Sequence, residues 1–208
     1  MSRKFVMGDI HGELEKLQEC LRLADFDYDN DQLIQLGDVV DRGAKSYECV
    51  QELLKIKNLV AIRGNHDECF FRGFLSGSFE LQHQGCKETL ESYIRNCNPD
   101  LQLDYNGFNL VTDFDIVHMP VSHQMFFSLD QRPYYVDDQN RCFVHGGFNR
   151  HYLISDQVHN DQEVLLWDRD LWSSALSYKN QTMREYPFKI KDGFKEIFIG
   201  HTQTQIWK

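Results

Sequence analysis

Leu33-Ile34-Gln35-Leu36-Gly37-Asp38-Val39-Val40-Asp41-Arg42-Gly43 is the stretch whose reading decides the fold. Its four opening residues are too few for a helix and apolar enough for a buried strand, and the run stops at a glycine followed by a carboxylate. The same pattern recurs along the chain. Phe5-Val6-Met7 runs into Gly8-Asp9-Ile10-His11-Gly12, and Leu59-Val60-Ala61-Ile62 into Arg63-Gly64-Asn65-His66-Asp67. Cys142-Phe143-Val144 reaches His145-Gly146-Gly147, and Ile197-Phe198-Ile199 reaches Gly200-His201.

Between the first three runs lie amphipathic stretches. Glu13 to Leu23 carries Leu14, Leu17 and Leu21 at helical spacing, and Ser46 to Lys57 carries Val50, Leu53 and Leu54. Strands alternating with helices predict crossovers over a buried sheet, an α/β architecture that gathers ligands at the carboxyl ends of its strands. The five polar tips are then free to converge. Glycine beside each one tolerates the tight turn and lets backbone approach an ion or a phosphate closely.

Residues 76–140 follow another pattern, acidic and aromatic, with turn signals at Asn98-Pro99, Asn106-Gly107 and Arg132-Pro133. Within this expected insertion, Glu88 to Cys97 and Asp113 to His118 read as helical. Tyr134 to Val136 and Arg141 to Val144 read as a hairpin around Asp137 to Asn140. The aromatic stretch from Phe126 to Tyr135 reads as packing for that hairpin. The insertion is placed to cover one side of the site, and the chain as a whole reads as one domain, 1–208.

Composition narrows the function. With 208 residues, 41% hydrophobic and 26% charged, the chain has the profile of a packed globular domain. A formal net charge of −10 argues against a nucleic-acid partner, because such binding is mainly phosphate neutralisation by Lys and Arg. No apolar run approaches the roughly 20 residues that cross a bilayer, and the first residues hold no signal-peptide core. A cytoplasmic protein without a membrane partner is the expectation. The six cysteines form no Cys-x-x-Cys pair, so free thiols are expected rather than a zinc knuckle or disulfide framework.

An acidic chain that handles phosphate needs a strong local positive charge, and bound cations supply one. Asp9, His11, Asp38, Asn65, His145 and His201 offer carboxylate, imidazole and amide donors, a set that suits Mn²⁺, with Fe or Zn²⁺ as alternatives. Six ligands exceed one tetrahedral site. A carboxylate shared by two cations about 3.5–4 Å apart is the arrangement of two-metal phosphoester hydrolysis, and Asp38 is the candidate bridge. Two divalent ions set against Asp9, Asp38 and one bridging hydroxide leave a net positive charge, which welcomes a phosphate dianion. His66 is the candidate general acid for the leaving group. Asp41 is placed to orient His66 and favour its imidazolium. Arg42 and Arg169 are candidate phosphate clamps, with Asn65 also facing substrate. The alternative for Arg169 is an ion pair with Asp168 or Asp170. His83, His118, His123, His151 and His159 stand in no comparable context and read as solvated or core histidines.

Five strings carry a family resemblance: Gly8-Asp9-Ile10-His11-Gly12, Gly37 to Gly43, Gly64-Asn65-His66-Asp67, His145-Gly146-Gly147 and Gly200-His201-Thr202. Together they resemble the calcineurin-like metallophosphoesterases, and most closely the bacterial and phage-type serine/threonine phosphoprotein phosphatase branch. The resemblance implies a two-sheet β-sandwich flanked by helices. It implies Asp9, His11 and Asp38 on one metal, and Asp38, Asn65, His145 and His201 on the other. Asp41-Arg42-Gly43 favours the phosphatase branch, as does Gln203, where nuclease-like relatives carry a further histidine. Trp167 to Arg169 resembles a second phosphate clamp. Asp67, where most eukaryotic protein phosphatases carry Glu, draws the chain toward bacterial members and diadenosine tetraphosphatases. Relatives also continue past the final histidine into strands that close the second sheet, whereas this sequence ends at Lys208.

The functional expectation is a metal-dependent phosphatase acting on phosphoserine and phosphothreonine, extending to phosphotyrosine and to small phosphate esters. Hydrolysis of dinucleoside polyphosphates is the competing enzymatic reading. A catalytically silent phosphoprotein-binding module is the reading from another class.

Overall fold

A computed structural model describes residues 2–76, 79–80, 85–106, 109–160, 162–180 and 188–203. Its first half follows the predicted alternation: β1 (Lys4–Met7), α1 (Leu14–Leu23), β2 (Gln32–Gln35), α2 (Ser46–Leu53), β3 (Asn58–Ile62) and α3 (Asn65–Ser76). The 76–140 segment then supplies β4 (Phe79–Glu80), α4 (Cys86–Cys97), β5 (Leu103–Asn106), β6 (Asn109–Thr112), α5 (Val121–Met125), β7 (Gln131–Arg132) and β8 (Tyr134–Val136). The chain continues through β9 (Arg141–Val144), α6 (Ile154–Asn160), α7 (Gln162–Trp167), α8 (Asp170–Lys179) and β10 (Glu196–Ile199).

Two sheets make the sandwich. One is parallel throughout, in the order β1-β2-β3-β7; the other runs β10-β9-β8, with β9 parallel to β10 and antiparallel to β8. Alternation along the strands explains why they meet. Ile34, Leu36, Val60 and Ile62 turn inward from the first sheet onto Phe143, flanked by Tyr135 and Phe198. The Phe143 and Phe198 rings stack at 4.9 Å. Helices cover the far face of the first sheet, where Leu17 and Leu21 of α1 join Val50 and Leu53 of α2 in the larger apolar cluster. A third sheet, β4-β6-β5, lies within the 76–140 segment.

That segment is part of the body of the molecule. Leu90 and Tyr93 of α4, with Phe114, Phe126 and Phe127, are buried in the same cluster as α1 and α2, and β7 and β8 extend the two main sheets. Helix α4 and the turn at Ile116–His118 fall where helical pieces were expected, and β8 pairs with β9 as the hairpin. The aromatic stretch departs from expectation. Phe126 and Phe127 turn away from the hairpin into the main core, with Phe127 5.4 Å from Phe70, because a π-type turn at Phe126–Asp130 rotates them inward. Tyr134 and Tyr135 do pack on the hairpin, Tyr134 against Cys142 and Val144 and Tyr135 against Phe143. All six cysteines are free. Among the described residues no helix is long and apolar enough to cross a membrane.

His123 is a core histidine. Fully buried, it lies between the Gln51 amide at 2.6 Å from Nε2 and the Tyr93 hydroxyl at 2.9 Å from Nδ1. A neutral ring satisfies both partners, donating from Nδ1 and accepting at Nε2. Burial accordingly pushes its pKa down to about 4. The unfolded chain, with an ordinary histidine, binds the extra proton first, so stability is full above about pH 6.5 and declines as pH falls toward 4. We predict that His123→Gln, in chelator-treated protein, removes about 2 kcal/mol of the difference in stability between pH 7 and pH 4.5. Parallel acid slopes in thermal melts of the variant and wild type would contradict this.

Candidate metal centre

The carboxyl ends of β1, β2, β3, β9 and β10 lie together, and each delivers its polar tip to one place. Asp38 is central. Its Oδ1 accepts the His66 backbone N–H at 2.9 Å, which turns Oδ2 to stand 3.7 Å from His11 Nε2 and 3.3 Å from His145 Nε2. Asp9 reaches the same ring: Oδ2 is 3.8 Å from His11 Nε2, while Oδ1 accepts the His201 N–H at 3.0 Å. Asn65 Oδ1 is 2.9 Å from His145 Nε2. Asp38, His145 and His201 hold donor atoms within 4.8 Å of one another, as do His11, Asp38 and His66. Thus all six predicted ligands are neighbours, with Asp38 common to both groups.

The tautomers are set by backbone. His11 Nδ1 donates to the Val40 carbonyl at 2.8 Å, and His145 Nδ1 to that of Leu36 at 2.7 Å. Each ring therefore turns its Nε2 inward, toward the Asp38 carboxylate. His11 Nε2 is buried and has no hydrogen-bond partner among the described residues. An orphaned lone pair among carboxylate oxygens is what a cation would satisfy, and imidazole, carboxylate and amide donors are appropriate to it.

Electrostatics point the same way. Burial disfavours charge on His145, yet the Asp38 carboxylate overrides it and pushes the ring up to about 9. Asp38, although buried, is held well below the usual carboxylate range by His145 and the neighbouring imidazoles. The site thus draws positive charge. His11 is lowered chiefly by burial, and His201 falls to about 4 through burial and the nearby His145.

Holding so many acceptors together requires a rigid frame. His11, Asp38, Asp41, Arg42 and His201 all have φ between 50° and 71°, a left-handed backbone that costs non-glycine residues energy. Gly64 permits a close approach to the central ligand, since a Cβ there would lie 2.2 Å from both Asp38 N and Asp38 Oδ1. Asp67 is the brace that sequence reading treated only as a family marker. Fully buried, it accepts N–H groups from Asp38, Val39 and Gly64 and the Gln131 amide, at 2.9 to 3.1 Å. Gln35, also fully buried, donates to the Gly37 carbonyl and accepts the Gly37 N–H. A polar residue inside an apolar strand run that ends in a ligand loop is the sequence signal that could have marked Gln35. Asp67 offered only its place in the first turn of α3.

Beside the ligands, His66 Nδ1 meets Asp41 Oδ2 at 2.7 Å, and the hydrogen bond raises the His66 pKa against the opposing effect of burial. Arg42 and Arg169 are both exposed. The Arg42 guanidinium lies 3.4 Å from His66 Nε2, and Arg169 Nε donates to His201 Nε2 at 3.2 Å. Arg169 thus faces the ring of candidate ligands.

Comparison with known proteins agrees with this architecture. The sequence pattern described as "Calcineurin-like phosphoesterase" matches residues 3–205, and the chain belongs to that family. A stretch of 64 residues is 42% identical to "Serine/threonine-protein phosphatase 1" of Salmonella typhimurium, covering 31% of this chain and 29% of that protein. Another, of 63 residues, is 38% identical to "Bis(5'-nucleosyl)-tetraphosphatase, symmetrical" of Coxiella burnetii, covering 30% of this chain and 22% of that one. The matched stretches thus span less than a third of either relative. A metallophosphoesterase structure from Sphaerobacter thermophilus superposes with a TM-score of 0.53 at 17% identity, over 96% of this chain and 60% of that one, a likeness of fold.

We predict that Asp38→Asn weakens Mn²⁺ binding at least about 100-fold, because both donor groups lose their common charge. Asp67→Ala should lower stability by about 3 kcal/mol and metal affinity about 10–100-fold, through its freed backbone donors. Calorimetric Mn²⁺ titration and thermal melts check both; wild-type affinity in either variant would contradict the assignment.

Proposed function

We propose that this protein is a phosphoprotein phosphatase that hydrolyses phosphoserine and phosphothreonine monoesters, extending to phosphotyrosine. The observation that carries the reading is Asp38 Oδ2 standing between His11 Nε2 and His145 Nε2, at 3.7 and 3.3 Å, so that one carboxylate serves two donor groups. Asp9, His11 and Asp38 would hold one cation, and Asp38, Asn65, His145 and His201 a second, with Mn²⁺ the fitting choice for these donors. Such ions, when bound, polarise phosphoryl oxygens and bring the pKa of water toward about 7.

The chain's own residues do the rest. His66 holds its proton because Asp41 stabilises the imidazolium from the Nδ1 side, leaving Nε2–H to be delivered to the departing alkoxide oxygen. With Nε2 protonated, Arg42 cannot donate to that nitrogen, and its guanidinium beside it is free to orient phosphate oxygens close to the acid. Arg169, on the His201 side, is placed to take another phosphate oxygen. Binding phosphate there replaces the contact Arg169 makes with His201.

The similarity to the Coxiella tetraphosphatase supports a second reading, a dinucleoside polyphosphate as substrate. Turnover of phosphopeptides and of diadenosine tetraphosphate by Mn²⁺-loaded protein separates the two. We expect the larger kcat/KM on phosphopeptide. A thousandfold preference for the nucleotide would reverse the ranking, and turnover of neither would remove both. His66→Asn should reduce kcat by about 10²–10⁴ with Mn²⁺ still bound, as for loss of a general acid. An unchanged kcat would exclude that role for His66.

A further inference from the structure

Asp41 can hold His66 only if its own carboxylate is held, and the grip comes from the 76–140 segment. Thr89, in α4, is completely buried. Its Oγ1–H donates to Asp41 Oδ1 at 3.0 Å, and the same oxygen accepts the Asp41 backbone N–H at 2.8 Å. The Ser46 hydroxyl, also fully buried, lies 3.0 Å from Thr89 Oγ1 and donates to it, because the single Thr89 proton is committed to Asp41. One hydroxyl therefore grips Asp41 at two points, main chain and carboxylate, and is itself anchored by a third partner.

Such a grip has work to do. Asp41 has φ 71° in the left-handed region, so its backbone is strained as well as its side chain buried. With Oδ1 fixed by Thr89, Oδ2 points at His66 Nδ1, 2.7 Å away. The beginning of α4 also bears on the neighbouring clamp: the Gly85 carbonyl accepts the Arg42 N–H at 3.3 Å, and a Cβ on Gly85 would lie 2.0 Å from that nitrogen. The 76–140 segment thus fixes the loop that presents both Asp41 and Arg42.

We propose that Thr89 is a positioning residue for leaving-group protonation, acting through Asp41 on His66, with Ser46 as its anchor. This rests on the general-acid role proposed for His66. A hydroxyl that merely fills the core would affect all substrates alike. One that aims the acid matters only where the departing oxygen needs a proton.

The test compares para-nitrophenyl phosphate, whose leaving group departs without a proton, with phenyl phosphate, whose leaving group needs one. Thr89→Val keeps the shape and removes the hydroxyl. It should lower kcat on phenyl phosphate roughly tenfold while changing kcat on para-nitrophenyl phosphate less than about twofold, with KM for both unchanged. Thr89→Ser should restore the loss. Equal loss on both substrates, or undiminished kcat on phenyl phosphate, would overturn the proposal. Should Thr89→Val not fold, Thr89→Cys, with a weaker donor, should give a smaller loss of the same selectivity; an unselective loss overturns the proposal as surely. His66→Asn separates the two levels of inference. If it is selective and Thr89→Val is not, the grip alone fails; if it is itself unselective, the general-acid reading fails first.

Discussion

Mutual repulsion among acceptors is the constraint on which the rest of the structure depends. Carboxylate oxygens of Asp9 and Asp38, the Asn65 carbonyl and the bare His11 Nε2 converge around the inward-facing His145 Nε2 within hydrogen-bonding or near-contact distance. Left alone they would separate. They stay because four of them are fixed from behind by main chain: His66 N–H on Asp38, His201 N–H on Asp9, and the Val40 and Leu36 carbonyls on the two rings. Cation binding would convert that opposition into coordination, so the energy of holding the groups together is invested before any ion arrives.

The sandwich makes this investment workable. Parallel strands bring successive polar tips to one edge, and the apolar contact of Ile34, Leu36, Val60 and Ile62 with Phe143 keeps the strands of the two sheets at fixed separation. Left-handed backbone at five site residues is then carried by a scaffold that cannot relax without unpacking. Asp67 and Gln35 transmit that rigidity into the ligand loops, with hydrogen bonds to backbone rather than to any ligand side chain.

The 76–140 segment read as the least regular part of the sequence, and its contribution was the hardest to foresee. Its apolar residues divide between the main core and the β8–β9 hairpin, and nothing in the local composition assigns Phe126 and Phe127 to one or the other. Thr89 illustrates the difficulty most sharply. In sequence it is one hydroxyl in an amphipathic helix, 48 residues from Asp41, while in space it is that residue's principal partner. His66 illustrates another: its donor atoms group with His11 and Asp38 as closely as a ligand's would, while its ring is engaged by Asp41.

Much of the protein was legible because its chemistry is local. Apolar runs of four or so residues ending in glycine and a polar residue determine strands, turns and the kind of donor delivered, and those properties depend only on neighbouring residues. Hence the α/β class, the order of the first three strands with their helices, and all six candidate ligands could be named from residue order alone. Three matters belonged to tertiary structure: which oxygen of Asp38 faces the imidazoles, which buried side chains brace the loops, and where Arg169 directs its guanidinium. Each depends on distances between segments remote in the chain, set when two sheets pack face to face, and no local pattern encodes them.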